Sequence, residues 1–576
     1  MVSLMSNMVT TLPSMVPMGS YDGMSSTTSC RCFLGDACWP SSTSWQSFNS
    51  SIGGNLIASV PIAAVCHDYS TSNSSATTFD ANACQSLEDS WFYPSTHLPS
   101  SSSAMGAPIF ANNSCNPFLP RSSSCTLGNY VKYSVKVTGA ADVQKTIAFA
   151  AERNIRLVIR STGHDYNGKS IGAGALSIWI QELTSAILID SYEGPLYSGR
   201  AIKFGSGVSV LDAYKFVDMN KGIIVGGACP TVTLAGGYTQ GGGHGPLAGT
   251  FGLAADNVVE WEVISATGEL LKVSSVENSD LYWALCGEGG GTYGVVISIT
   301  VKLHDPMLVA AASLSFSQPA TATGAVDFWN VVSTFIESLP AMTDAGLEVI
   351  WTVLPGTFVV SPATAPGLTK EELNELFGSS LSQLKESNVS YNYQSALYQT
   401  FLDSYSATVL PSSNISNSII GSRMIPRSVV EDNLPAFVTA IQDIIASNFL
   451  FVGLTLNVSH QNPDAVAANS YWRKTLTLGT LGTFFDYQNF EANFANQNTM
   501  TNTLIPKLAA LTPNEAAYLT EGDFQQPNWQ EVFYGDHYQK LDAIKAKYDP
   551  HDIHYVLGAV GSDRWTQKED GRLCRA

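Results

Sequence analysis

Charge is scarce in this chain, and positive charge is scarcest. Asp, Glu, Lys and Arg make up 13% of its 576 residues, and 29 Lys and Arg face 48 Asp and Glu, a net charge of −19. A surface that acidic repels phosphate backbones and anionic lipid, which argues against nucleic-acid and membrane-surface partners. No apolar run reaches the roughly 18 residues a transmembrane helix needs, so none is expected. The cysteines show no paired C-x-x-C units and no accompanying His pair, so no metal site is expected. Met1 to Gly23 has neither a basic segment nor an apolar one, so it does not read as a signal peptide, and residues 1–29 read as disordered. No internal repeat is visible, and no obligatory protein partner is evident.

Hydrophobic residues are 45% of the chain and aromatics 10%, enough for a sizeable interior. The length exceeds one ordinary core, so two or more packed units are expected. Ser, Thr and Asn take the place of charge on the surface. Asn-x-Ser/Thr acceptors stand at Asn49, Asn73, Asn112, Asn388, Asn414 and Asn457, none with Pro in the middle position. Seven of the ten cysteines (Cys30, Cys32, Cys38, Cys66, Cys84, Cys115 and Cys125) fall in the first quarter. Disulfides clasping an N-terminal extension explain that crowding, and both features point to a secreted glycoprotein. Seven is odd, so one of them is free or pairs elsewhere.

Residues 30–125 read as a Cys- and Ser-rich, disulfide-tied lead-in with little periodicity beyond Ser44 to Leu56. From Tyr130 the pattern sharpens. Val131 to Val137 alternates as a half-buried strand, Ala141 to Asn154 places Val143, Ile147 and Ala150 on one helical face, and Ile155 to Arg160 is the next strand. Strand, helix, strand and glycine turn is an α/β opening. A hairpin is expected around Thr267-Gly268, between Val258 to Ser265 and Leu271 to Val273, and Tyr293 to Leu303 reads as a long strand. These elements give a unit over 126–305. A second unit with strands and helices is expected over 306–525, and a C-terminal segment over 526–576 with a helix from Tyr538 to Tyr548.

Two stretches of the first unit carry the chemistry. One is Arg160-Ser161-Thr162-Gly163-His164-Asp165-Tyr166, directly after a strand. The other is Gly226-Gly227-Ala228-Cys229-Pro230-Thr231-Val232, followed by Ala235-Gly236-Gly237-Tyr238 and Gly241-Gly242-Gly243-His244. Ordinary turns account for an isolated glycine, but this density lets several backbone N–H groups converge on phosphate without basic side chains. Gly289-x-Gly291-x-x-Gly294 fits the dinucleotide fingerprint literally, yet a β-branched run, Val295 to Val301, follows where a helix is required. A Rossmann NAD site is therefore rejected. A neutral imidazole at His164 can attach to a flavin methyl group, and a thiolate at Cys229 can attack the ring edge.

These residues resemble those of the berberine-bridge-enzyme-like FAD-linked oxidases of the vanillyl-alcohol-oxidase superfamily, closest to the fungal isoamyl-alcohol-oxidase-like members. The resemblance runs from Cys30-Arg31-Cys32 and Gly35-Asp36-Ala37-Cys38-Trp39-Pro40, through the two stretches above, to Phe533-Tyr534-Gly535-Asp536-His537-Tyr538 and Lys547-Tyr548-Asp549-Pro550. It implies an α+β fold: a two-subdomain FAD-binding domain of the PCMH type, plus a substrate domain with an antiparallel sheet covered by helices. It implies bicovalent FAD, through His164 at the 8α-methyl and Cys229 at C6. The cofactor-binding set it implies is Arg160, Ser161, Thr162, Gly163, Thr231, Gly236, Gly237, Tyr238, Gly241, Gly242, Gly243, His244, Gly294 and Val296 beside the two attachment residues. Tyr166 matches a family tyrosine on the flavin's substrate face. Val232 matches the family's oxygen gatekeeper, where Val accompanies oxidases and Leu dehydrogenases.

An oxidase also needs a base for the substrate's proton. Relatives place a Glu, Gln or Tyr on the second domain's sheet or a Tyr in the C-terminal motif. After Tyr471-Trp472-Arg473 this chain offers Lys474, Thr475 and Thr477 and no carboxylate. Tyr538 and Tyr534 are then the candidates, Tyr538 ahead, although His537 stands where relatives often carry Asn. The expected function is oxidation of an alcohol, sugar or specialised metabolite, with O2 as acceptor. The alternative is a biosynthetic flavoenzyme that desaturates or cyclises a natural product.

Overall fold

The computed structural model describes residues 30–68, 78–106, 108–409, 418–514 and 516–576. The expected disorder of 1–29 and the acceptors Asn73 and Asn414 lie outside the described residues.

Three principal sheets organise the chain. The first has four strands in the order Leu56–Ala58, Tyr133–Lys136, Leu176–Trp179 and Leu157–Arg160. Its last two pairings are parallel, and the helix Ala140–Glu152 makes the crossover from Tyr133–Lys136 to Leu157–Arg160. That helix buries Val143, Thr146, Ile147 and Ala150, a 3.6-residue stripe facing the sheet. The second sheet has five strands, ordered Ala186–Glu193, Ser198–Gly205, Gly294–Lys302, Val258–Ser265 and Leu270–Ser274. Gly294–Lys302 is its central strand, which is why the β-branched run after Gly294 is apolar on both faces. The two sheets share a core through Ile264 and Val295, which pack with Val135, Leu157 and Ile178.

The third sheet is antiparallel throughout, with seven strands ordered Tyr391–Tyr398, Val309–Ser317, Thr357–Pro366, Glu348–Leu354, Leu450–Thr455, Thr475–Phe484 and Ser418–Pro426. The long helices Gly324–Asp344 and Arg427–Ala446 turn Phe328, Val332, Phe335, Leu339, Phe437 and Ile441 into its core. This is the α+β architecture, with an antiparallel sheet under helices. No described helix is long and apolar enough to cross a membrane.

The lead-in is more regular than its sequence suggests. It contains the helices Ser42–Ser51 and Ala81–Ser90, and Leu56–Ala58 joins the first sheet as an edge strand. Ser41 and Asp80 cap the helices with their side chains, the Ser and Asp signals that a Ser-rich composition hides. Three disulfides are local: Cys32–Cys38, Cys66–Cys84 and Cys115–Cys125. The odd cysteine is Cys30, which pairs with Cys574 across 544 residues and ties the lead-in to the C-terminal end. Four disulfides suit an oxidising compartment.

Closing so long a loop restricts the unfolded chain, so replacing Cys30 and Cys574 together by Ser lowers stability by about 2–4 kcal/mol. A lower urea midpoint is the expected reading, and an unchanged midpoint contradicts it.

Candidate functional site

One cavity of about 320 Å³ lies where the first two sheets meet. From the first comes the loop after Leu157–Arg160: Ser161, Thr162, Gly163, His164, Asp165, Tyr166, Asn167, Lys169 and Ser170 line it. From the second come Gly227, Ala228, Cys229, Val232, Thr233, Gly236, Gly237, Tyr238, Gln240, His244, Gly290, Gly291, Gly294 and Val296. Tyr518, Thr520, Glu521 and Val556 come from the C-terminal part of the chain.

The first loop is folded by its own carboxylate. Asp165 accepts hydrogen bonds from the backbone of Asn167 and Lys169 on one oxygen and from Ser170 on the other, at 2.8–2.9 Å. Gly163 has φ +83°, and a Cβ there would stand 2.9 Å from the Ser103 carbonyl, so no other residue fits without strain. Gly106 is held as closely from the other side, since its Cβ would meet the His164 carbonyl at 2.5 Å. The segment 97–106 of the lead-in therefore presses on the loop as a strap. Arg160 is 0% exposed behind it and donates to the carbonyls of Ser103 and Thr162 at 3.2 Å.

His164 and Cys229 are brought together through one hydroxyl. Thr231 Oγ1 is 2.8 Å from His164 Nε2 and 3.6 Å from Cys229 Sγ, and Thr162 Oγ1 is 2.7 Å from His164 Nδ1. Burial, the Arg160 guanidinium and His97 depress the imidazole to about 3, so it is neutral and keeps a free electron pair. Cys229 is free and partly exposed to the cavity, whereas the other free cysteine, Cys286, is buried and its thiol is pushed up to about 12.

A second group stands where Gly241 to His244 meets the C-terminal part. His244 Nε2 is 2.9 Å from Glu521 Oε1, and the Tyr238 hydroxyl donates to the His244 carbonyl. Burial alone would lower the His244 imidazole, but the Glu521 carboxylate holds it above its ordinary value. Tyr166 faces the same cavity, and burial raises its phenol far out of the physiological range.

Most of the expected residues converge here: Ser161, Thr162, Gly163, His164, Tyr166, Cys229, Val232, Gly236, Gly237, Tyr238, His244, Gly294 and Val296 all line the cavity. Arg160 and Thr231 support the lining without joining it. Gly241, Gly242 and Gly243 do not line it either; their N–H groups go to Gly237 O, Thr239 O and the Tyr518 hydroxyl, fixing the turn that carries His244. Tyr534 and Tyr538, the candidates for the base, lie outside the lining as well. Tyr534 is buried in a neighbouring core with its hydroxyl toward Gly558 O, and Tyr538 reaches Asp563, so neither faces the cavity. Glu521, Tyr518 and Lys169 were missed. Tyr518 to Asp523 carries no periodic signal, and its only hint is a carboxylate among turn residues ahead of the C-terminal motif.

The lining fits FAD. Its glycine backbone suits a diphosphate, Lys169 is its single Lys or Arg side chain, and its walls are otherwise largely apolar, as a flat ring system requires. Fold and site define an FAD-binding oxidoreductase built on a two-subdomain α+β unit and a sheet domain. A family model described as "FAD binding domain" matches residues 131–274, and one described as "Berberine and berberine like" matches 517–556. The chain is 43% identical over 555 residues to the FAD-linked oxidoreductase sor8 of Hypocrea jecorina, covering 96% of this chain and 94% of that one. It is 36% identical to the bifunctional decalin synthase calF of Penicillium decumbens, covering 95% and 96%. The crystal structure of the VAO-type flavoprotein MtVAO615 from Myceliophthora thermophila C1 superposes with a TM-score of 0.89 at 38% identity, covering 95% of this chain and all of that one. The chain belongs to the berberine-bridge-like FAD-linked oxidoreductases of the VAO type.

The strap yields a test. His97 is buried, with Nε2 2.6 Å from the Trp91 carbonyl and Nδ1 2.6 Å from the Ser103 hydroxyl, so Nε2 carries the proton and Nδ1 accepts. Burial lowers it to about 4, while an unfolded imidazole protonates near ~6.5. Between these values only the unfolded chain binds the proton, so stability falls as pH falls through that window. His97→Gln lowers the melting temperature at pH 7 by removing these bonds, and flattens the further loss between pH 6.5 and 4. An equally steep acid loss in the variant contradicts this.

Proposed function

We propose that this chain is an oxidase that holds FAD at two points, His164 and Cys229, and oxidises an alcohol, sugar or specialised metabolite at the expense of O2. The observation that carries this reading is the convergence of a neutral His164 and a free Cys229 in one cavity, linked by the Thr231 hydroxyl. FAD held by these residues would supply the hydride acceptor and the route by which electrons reach O2, with hydrogen peroxide as the reduced product.

The chain's own residues do the rest. His164 and Cys229 fix the cofactor against loss from an open cleft. Glu521 takes over the role expected of Tyr538 and Tyr534: it lines the cavity, and its contact with His244 Nε2 holds the carboxylate where it can accept a substrate hydroxyl proton. Tyr166 and Tyr518 flank that position, and Tyr166 keeps its proton, so it acts as a hydrogen-bond donor. Val232 leaves room for O2 on the cavity wall. The oxidising-compartment signs support export from the cell.

A second reading is biosynthetic desaturation or cyclisation. It is favoured by full-length similarity to a relative named as a decalin synthase. Product analysis separates the two, since a cyclase can return a product isomeric with its substrate and an alcohol oxidase cannot.

The reading is tested by acid precipitation, after which the protein stays yellow; a colourless pellet contradicts the covalent attachment. Cys229→Ala then remains yellow through His164 with a shifted absorption spectrum, and an unshifted spectrum rules out the second bond. Val232→Leu lowers the rate of flavin reoxidation by O2 by about tenfold, equivalent to ~1.4 kcal/mol on the barrier. Stopped-flow mixing of reduced protein with O2 measures it, and an unchanged rate removes Val232 from the account.

A further inference from the structure

Lys169 is a cation without an anion. It is the single Lys or Arg among the residues that line the cavity, in a chain of net charge −19. Among the described residues its ammonium forms no ion pair and no hydrogen bond. A charge withdrawn from water and left unmatched is costly, so a fold ordinarily spends such a group on a partner. Lys545 shows that ordinary use. Its ammonium is bonded to Asp549 and to the carbonyls of Thr292 and His554, at 2.5–2.7 Å.

The acids nearest Lys169 are otherwise engaged. Asp165 holds its own loop together, with three backbone N–H groups already on its two oxygens. Glu288 stands just before Gly289, where a Cβ would lie 4.0 Å from the Lys169 Nζ. It is fully buried, and burial drives its carboxyl well above the usual carboxylate range, toward the neutral form. Glu521 is occupied by His244 Nε2 at 2.9 Å. Burial also lowers Lys169 from its ordinary value, against Asp165 and Glu288, and an anion in the cavity would oppose that shift.

The place of the ammonium in the cavity points to which anion it serves. The same Cβ position at Gly289 lies 2.8 Å from Leu519 Cδ1, so Lys169 and Leu519 approach one glycine from two sides. Asn167, two residues before Lys169, donates to the Leu519 carbonyl at 3.0 Å. Leu519 lies between Tyr518 and Thr520, in the short run that also brings Glu521 to the wall. Lys169 therefore stands with the residues placed above at the reacting part of the flavin. The diphosphate needs no such charge, because the glycine N–H groups of the lining serve it.

We propose that Lys169 is the counter-charge of the flavin ring, an ammonium that stabilises the negative charge which reduction places at the N1–C2 edge. This rests on the function proposed above, because it takes FAD to be the occupant of the cavity. A hydride received at N5 brings two electrons, and the resulting charge spreads over N1 and the C2 carbonyl oxygen. A fixed cation beside that edge favours the reduced ring over the oxidised one, and so favours hydride transfer from the substrate.

Sulfite tests this without turnover or a known substrate. Its sulfur lone pair forms a bond to flavin N5, and the displaced electron pair leaves the ring anionic at the N1–C2 edge, with no proton or outside oxidant involved. The purified, flavin-loaded protein is titrated with sulfite and followed by loss of its visible absorption. Lys169→Met weakens sulfite binding by about tenfold or more, the effect of one nearby unit charge, and Lys169→Arg keeps it. Equal affinity in Lys169→Met and the unsubstituted protein overturns the proposal. A variant that carries less flavin yet binds sulfite as before puts the ammonium on the diphosphate, and overturns it too. If Lys169→Met takes up no flavin, the unsubstituted protein is compared with free FAD: tighter sulfite binding by the protein is expected, and binding no tighter overturns the proposal. An unsubstituted chain that carries no flavin at all fails the oxidase reading instead, so the two failures are distinguishable.

Discussion

The hydroxyl of Thr231 is the contact on which the site depends. It belongs to a loop of the five-stranded sheet and meets His164 from the four-stranded sheet, with Cys229 two residues back along its own loop. With the proton of His164 on Nδ1 toward Thr162, the Thr231 hydroxyl donates to Nε2 and can accept from the Cys229 thiol. Two residues 65 positions apart in sequence are thereby joined into one hydrogen-bonded chain. The joint exists only if the two subdomains dock in one register, which the packing of Ile264 and Val295 against Leu157 and Ile178 imposes.

Around that joint, the fold repeatedly uses distant segments to stiffen a loop that glycine would otherwise leave loose. The strap at 97–106 closes on Gly163 and His164 from the lead-in, and Arg160 ties the two with its guanidinium. The C-terminal part supplies Tyr518 against the Gly243 backbone and Glu521 against His244. Cys30–Cys574 then links the two ends of the described chain to each other. Glycine permits close approach to a flat ligand, and these external braces offset the freedom it brings.

Much of this was legible in sequence because it is local. The strand into His164, the glycine frames, the hairpin about Gly268 and the helix Tyr538–Tyr548 all leave short-range signals. Rejection of the NAD fingerprint rested on the residues after Gly294, which form the central strand Gly294–Lys302. The pairing of His244 with Glu521 was not legible. The two are 277 residues apart, and no periodicity marks a contact made only by the tertiary fold. Tyr534 and Tyr538 had the opposite problem: they stand in a conspicuous motif, and that motif builds a packed helix start with Trp529 and Asp563 nearby.

The central claim is that one cofactor is held at both His164 and Cys229. Proteolytic digestion of the purified, flavin-loaded protein followed by mass spectrometry tests it most directly. The account predicts a single species in which the His164 peptide and the Cys229 peptide are joined through one flavin. Recovery of both peptides at their unmodified masses would contradict it.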